Sequence, residues 1–113
     1  MKIGIVGSRT FNNYNLFEQV INKIVQENDI IVSGGAIGAD SLAEMYAKIH
    51  KFETIIFKPE WEKYGKQAGF IRNSKIVEES DYIIAFWDGN SKGTLDTISK
   101  AENLGKQVIR ISV

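Results

Sequence analysis

Cysteine is absent from this chain and proline occurs once, at Pro59. Without cysteine there is no disulfide, no thiolate nucleophile and no Cys-based metal site. The lone His50 offers no ligand cluster, so neither a metal nor any other cofactor is implied. Net charge is missing as well, since 14 Lys and Arg balance 14 Asp and Glu. No overall field would gather the chain onto nucleic acid or an anionic membrane, which counts against nucleic acid as a partner and makes any anion site local. Long apolar runs are also lacking. The first, Ile3 to Val6, stops at Gly7-Ser8-Arg9, too short for a membrane span or a signal core. The expectation is therefore no membrane partner and a cytoplasmic location. No repeat, low-complexity stretch or linker appears, and 113 residues suit one domain, 1–113.

What is present is regular. Apolar runs rich in β-branched and aromatic residues recur at Ile3 to Val6, Ile30 to Val32, Thr54 to Phe57, Tyr82 to Trp87 and Gln107 to Val113. They are apolar on both faces, as strands of a parallel sheet covered by helices must be. Between them, Phe17, Val20, Ile21 and Ile24 follow helical spacing, as do Leu42, Met45, Tyr46 and Ile49. Gln67 to Glu79 carries a weaker helical pattern, and Leu95, Ile98, Ala101 and Leu104 form a helix that Gly105 ends. Five strands alternating with helices predict a Rossmann-like, three-layer α/β/α domain with a five-stranded parallel sheet of order 3-2-1-4-5. The connection from Lys58 to Lys66 reads as an ordered loop.

In such a sheet, ligands sit beyond the carboxyl ends of the strands, where the strand order reverses. The turns there are Gly7-Ser8-Arg9, Ser33-Gly34-Gly35-Ala36-Ile37-Gly38-Ala39-Asp40, and Trp87-Asp88-Gly89-Asn90-Ser91-Lys92-Gly93-Thr94. Glycines at a strand-to-helix junction let amides approach an oxyanion, which makes Gly7, Gly34, Gly35, Gly38, Gly89 and Gly93 a candidate phosphate cradle. A tight turn with close helix packing explains the same glycines without a ligand. Neither a Walker A loop nor a dinucleotide Gly-x-Gly-x-x-Gly is present. Arg9 can fork onto a phosphate or form a surface ion pair. Ser91, with Gly93 and Thr94, either opens a second anion site or simply caps the last helix.

Asp40 and Asp88 do not suit a phosphate. Each caps a helix or turn, or accepts a ribose hydroxyl, and Ser41-x-x-Glu44 competes as a capping box. If both faced one ligand they would be the candidate catalytic pair, stabilising an oxocarbenium-like state or activating water. Trp61, Tyr64, Lys66, Phe70, Arg72 and Asn73 interleave aromatics with positive charge, as base stacking and phosphate neutralisation require. Trp61 or Trp87 would do the stacking, unless these aromatics only pack under the loop. His50, between Lys48 and Lys51, reads as a solvated residue at a helix end.

On these residues the chain resembles the YspA and circularly permuted YpsA-related branch of the SLOG superfamily. That superfamily includes DNA-processing protein A and the "lonely guy" cytokinin-activating hydrolases. The matching signatures are Gly7-Ser8-Arg9-x-Phe11, Val32-Ser33-Gly34-Gly35-Ala36-x-Gly38-Ala39-Asp40, Pro59-x-Trp61-x-x-Tyr64-Gly65-Lys66-x-Ala68-Gly69-x-x-Arg72-Asn73 and Ala85-Phe86-Trp87-Asp88-Gly89-x-Ser91-x-Gly93-Thr94. The resemblance implies a Rossmann-like domain recognising nucleotides or nucleotide-derived signals, often in bacterial stress, conflict or phage settings. It implies ligand contacts at Ser8, Arg9, Gly34, Gly35, Asp40, Arg72, Asn73, Asp88, Ser91, Gly93 and Thr94. The hydrolytic relatives carry Pro-Gly-Gly-x-Gly-Thr-x-x-Glu at the last turn. Here Thr97 stands at the glutamate position with Asp96 beside it, and Asn12 or Asn13 replaces the aspartate usual after the first turn. These departures count against hydrolysis by the same means.

The first expectation is a module that binds or senses a nucleotide-derived, phosphate-bearing small molecule, including one that sequesters a signalling nucleotide. Its rivals are an N-glycosidase or hydrolase acting on a nucleotide or NAD-like molecule through Asp40 or Asp88, and a single-stranded DNA binder. Two sheet edges leave a homodimer or larger homo-oligomer open.

Overall fold

The central strand of the sheet is also the first. In the computed structural model, which describes residues 1–113, β1 (Lys2–Gly7) is flanked on both sides and buried over its middle four residues. It is followed by α1 (Tyr14–Asn22), β2 (Ile30–Ser33), α2 (Ala39–His50), β3 (Glu53–Ile56), α3 (Trp61–Tyr64), α4 (Ala68–Glu79), β4 (Tyr82–Trp87), α5 (Lys92–Asn103) and β5 (Val108–Ser112). The sheet is wholly parallel with order β3-β2-β1-β4-β5. This is the five-stranded α/β Rossmann-like arrangement expected from the sequence. No helix is long and apolar enough to cross a membrane.

Alternation along β1 divides the core. Ile3 and Ile5 join Phe17, Ile21, Leu42, Tyr46, Ile84 and Phe86 under α1 and α2. Val6 joins Val32, Ile76, Val77, Ile83, Ala85, Ile98 and Ala101 under α4 and α5. Burying an isoleucine such as Ile5 fully stabilises the fold by about 1.5 to 3 kcal/mol, so both layers are firmly held. Phe17 stacks on Phe86 with centroids 4.9 Å apart, and Phe86 in turn stacks on Phe11 at 5.1 Å. That stack fixes the chain leaving β1 against the end of β4.

Two details differ from the sequence reading. The stretch expected to be a loop from Lys58 to Lys66 contains α3 and the start of a 3₁₀ turn, Gly65–Gln67. A four-residue helix has no room for an apolar period to show. The start of α2 is capped by neither Asp40 nor Ser41: its N-cap is Gly38, at φ +82°, and Ser41 Oγ donates to the Ala36 carbonyl at 3.0 Å. A Cβ at Gly38 would collide with the Ser8 carbonyl and the Arg9 backbone, so glycine is required for both conformation and space. The end of α5 follows expectation, with Gly105 at φ +73° beyond it.

Candidate functional site

Because β2 and β3 lie on one side of β1 and β4 and β5 on the other, the chain reverses its sheet order between β1 and β4. The turns after those strands part there. A cavity of about 400 Å³ opens at this place. Its lining includes Gly7 and Arg9 after β1, Ala36 and Asp40 after β2, Trp61 of α3, Arg72 and Asn73 of α4, and Ser91, Lys92, Gly93 and Thr94 at the start of α5. Val6, Ile76 and Thr97 complete the wall.

The start of α5 is built for exposure of its amides. Ser91 is the N-cap, accepting from Thr94 N–H at 3.4 Å and meeting Thr94 Oγ1 at 3.0 Å. The first amides of any helix have no intrahelical acceptor, so those of Lys92 and Gly93 face outward with the positive end of the helix dipole. Asn73 ties this turn to α4: its Nδ2 donates to the Gly93 carbonyl at 3.2 Å and to Asp96 Oδ2 at 3.1 Å. Asp96 also pairs with Lys100 at 2.8 Å. Thr97 Oγ1 donates to the Gly93 carbonyl at 3.3 Å. No free carboxylate therefore stands near the position of Thr97.

Arg72 is half-buried and turned inward, donating from Nη1 to the Gly34 carbonyl at 2.5 Å and from Nε to Asn73 Oδ1 at 2.9 Å. A Cβ at Gly34 would meet the ends of that guanidinium and of the Asp40 carboxylate, so a side chain there would have to displace them. Asp40 is 6 % exposed and accepts the Ala36 N–H at Oδ2, 3.2 Å away. Burial pushes its carboxyl up to about 6, against the opposing pull of the Ala36 amide and the Arg72 charge. Arg9 is exposed and makes no ion pair or hydrogen bond within the protein.

Of the residues singled out from sequence, Gly7, Arg9, Asp40, Trp61, Arg72, Asn73, Ser91, Gly93 and Thr94 meet at this cavity. The others lie elsewhere. Ser8 is buried, and its Oγ accepts the Asp88 N–H at 3.1 Å. Ser33 Oγ is buried without a partner. Gly34 seats Arg72, Gly35 faces Ile56 and Lys58, and Gly38 backs onto Ser8 and Arg9. Lys66 and Gly89 are exposed away from the lining. Trp87 donates its indole N–H to the Ser91 carbonyl at 3.1 Å and lies 5.9 Å from the Arg110 guanidinium. Asp88 is outside the cavity as well. Its Oδ1 accepts the Asn90 and Ser91 amides at 2.8 and 2.9 Å, which hold its carboxyl below the usual range. Asp40 and Asp88 thus do not face one ligand, and Asp40 is the single carboxylate in the lining. Ala36, Lys92 and Thr97 were not singled out as site residues. Lys92, directly after the cap, carried a usable signal; the orientation of Val6 and Ile76 carried none.

The model for the YspA, cpYpsA-related SLOG family matches residues 1–64. The chain belongs to this family. Gene 61 protein of Mycobacterium phage D29 is 37 % identical over 86 residues, covering 71 % of this chain and 69 % of the phage protein. Among solved structures, DNA processing protein A from Streptococcus pneumoniae superposes with a TM-score of 0.82 at 26 % identity, over 99 % of this SLOG chain and 50 % of that one. DNA processing protein A from Helicobacter pylori, solved for its unique single-stranded DNA binding mode, gives 0.79 at 20 % identity, over 97 % and 64 %. The chain thus spans half of one of these proteins and 64 % of the other.

The Helicobacter protein corrects one expectation. Neutral net charge counts against nucleic acid as a partner, yet a protein of this fold binds single-stranded DNA. Net charge sums over the whole chain, whereas a phosphate in salt responds to charges within roughly 8 to 10 Å. Arg9 and Lys92 both line one cavity, whatever the distant acidic residues contribute to the sum.

Proposed function

We propose that this SLOG domain binds a nucleotide-derived, phosphate-bearing small molecule in the cavity at the sheet reversal. The observation that carries the reading is the convergence, on about 400 Å³, of exposed Arg9, exposed Lys92, the first amides of α5 and one buried carboxylate. The volume lies within the roughly 300 to 1,000 Å³ common for small-molecule sites. The cations and helix start suit a phosphate, and Trp61, 55 % exposed and part of the same lining, is the aromatic available to stack on a base. With a lone carboxylate in the lining, the arrangement favours holding a ligand over cleaving it.

The test is calorimetric titration with adenosine 5′-monophosphate and inorganic phosphate, followed by chromatography of the mixtures. The expected result is phosphate-dependent binding with the nucleotide recovered intact. Release of free base or ribose phosphate would replace the binding reading with a hydrolytic one.

A second reading is single-stranded DNA, favoured by the likeness to DNA processing protein A and by exposed Phe70, with Lys100 5.7 Å from its ring centroid. Fluorescence anisotropy of a labelled oligonucleotide distinguishes it. Binding that weakens steeply between about 50 and 200 mM salt, and that adenosine monophosphate competes away, would favour the strand.

A further inference from the structure

We propose that Asp40 reads a sugar hydroxyl, so that the cavity selects a ribose phosphate or ribonucleotide over a counterpart that lacks the 2′ and 3′ hydroxyls. This inference rests on the phosphate-binding reading and adds the chemistry of the other end of the ligand.

The argument begins with what Asp40 does not do. It stands in the first turn of α2, yet the N-cap is Gly38 and has no side-chain cap bond. Its Oδ2 takes the Ala36 amide and the Gly34 amide also pulls on the carboxylate, while Oδ1 makes no hydrogen bond within the protein and the residue is only 6 % exposed. Arg72 attracts it through space but does not bond to it. Arg72 is committed to the Gly34 carbonyl and to Asn73, and it forms no ion pair with the carboxylate. Oδ1 is not sealed off, since Ser33 Oγ is the one buried side-chain polar atom without a partner, and an acceptor left open on a cavity wall is a place where a donor from outside can bind.

Charge decides which donor. A phosphate oxygen beside Asp40 would meet a like charge, so the phosphate belongs with Arg9, Lys92 and the α5 amides, and a neutral donor belongs with Asp40. In a phosphorylated sugar the neutral donors are its hydroxyls. A single cavity with a cationic wall and a buried acceptor therefore fixes the ligand's direction, phosphate outward and hydroxyls inward. Ribose phosphate and a ribonucleotide share that chemistry; DNA within a strand does not offer it.

The experiment is titration of the wild-type protein with adenosine 5′-monophosphate, its 2′,3′-dideoxy analogue, ribose 5-phosphate and inorganic phosphate, repeated on Asp40→Asn. In that variant the amide keeps the Ala36 bond through its oxygen and turns a donor toward the cavity. The expected result is that wild type prefers the hydroxylated nucleotide by about tenfold or more, the scale of one charge-assisted hydrogen bond. Asp40→Asn should lose that preference and bind inorganic phosphate at least as well. Ribose 5-phosphate binding as tightly as the nucleotide would identify the sugar phosphate as sufficient, and the nucleotide binding better would assign a share to the base. Equal binding of hydroxylated and dideoxy nucleotides by wild type overturns the inference and leaves phosphate binding standing. Retained preference in a folded Asp40→Asn overturns the role of Asp40. If neither phosphate nor any nucleotide binds, the underlying reading fails and this one with it. The wild-type series needs no variant, so an unfolded Asp40→Asn still leaves a decision.

Discussion

Where the strands begin, the Met1 ammonium meets Asp29 at 2.9 Å, Lys2 meets Glu79 at 2.5 Å, and His50 meets Glu18 at 2.9 Å. Lys106 Nζ donates to the carbonyls of Val77, Glu78 and Ser80 at 2.6, 3.2 and 2.7 Å, closing the end of α4. Where the strands end, Arg9, Lys58, Lys66 and Lys92 form no ion pair, and Asp40 is buried without one. The first end answers each of these charges inside the protein. The second leaves these cations unpaired and a carboxylate buried, an arrangement that costs stability. One end is a clasp and the other a socket, and each half of that contrast can be tested separately.

The largest expected effect is on Asp40. Its folded-state carboxyl lies near 6, above the ordinary 3.8, so burial disfavours the charged form. A raised acid lends stability only while protonated: the contribution is complete below about 4 and is lost as pH rises through about 6. Arg72 and Glu44 are the charges that act on it, the first opposing the shift and the second adding to it. Asp40→Asn, neutral at every pH, should therefore match wild type near pH 4 and exceed it by on the order of 2 to 3 kcal/mol at pH 8. Urea melts across that range check it. A variant less stable than wild type at pH 8 would mean that Asp40 belongs to the structural end of the contrast after all.

Arg9 comes next. Arg9→Ala should weaken binding of adenosine monophosphate or inorganic phosphate by about 1 to 3 kcal/mol, the scale of a lost charge-assisted contact, and leave the melting temperature near its starting value. Unchanged affinity by calorimetry would remove Arg9 from the site. Lys106→Met supplies the mirror image. Loss of its three carbonyl bonds should destabilise the fold by about 1.5 to 3 kcal/mol in a urea melt while phosphate affinity stays the same.

The clasp and the socket were not equally legible in the sequence. The sheet declared itself because Ile3 to Val6 and Tyr82 to Trp87 are apolar on both faces, and only a central parallel strand buries both. The place of the socket followed from strand order alone. Orientation within it did not. Ser8 and Asp88 both sit in the right turns, yet they bond to each other's segment, Asp88 N–H to Ser8 Oγ, and so leave the cavity. Trp61 and Trp87 have the same chemistry, but Trp87 is held by Ser91 and only Trp61 reaches the wall. Such outcomes depend on which groups meet across the sheet, 80 residues apart for Ser8 and Asp88, and local pattern does not encode that distance.

The smallest expected effect compares two helix caps, one inside the cavity lining and one outside it. Asn13 Oδ1 accepts the Leu16 amide at 3.1 Å, and Ser91 Oγ accepts the Thr94 amide at the longer 3.4 Å. Replacing either by alanine should cost about 0.5 to 1 kcal/mol in the free protein, with Ser91 at the lower end because its bond is long. Ligand separates them. If the Ser91 hydroxyl also serves a bound phosphate, saturating adenosine monophosphate should raise the melting temperature of Ser91→Ala less than that of wild type, while Asn13→Ala keeps the full rise. Equal rises in both variants would confine Ser91 to capping, and the anion would then be held by Arg9, Lys92 and the α5 amides alone.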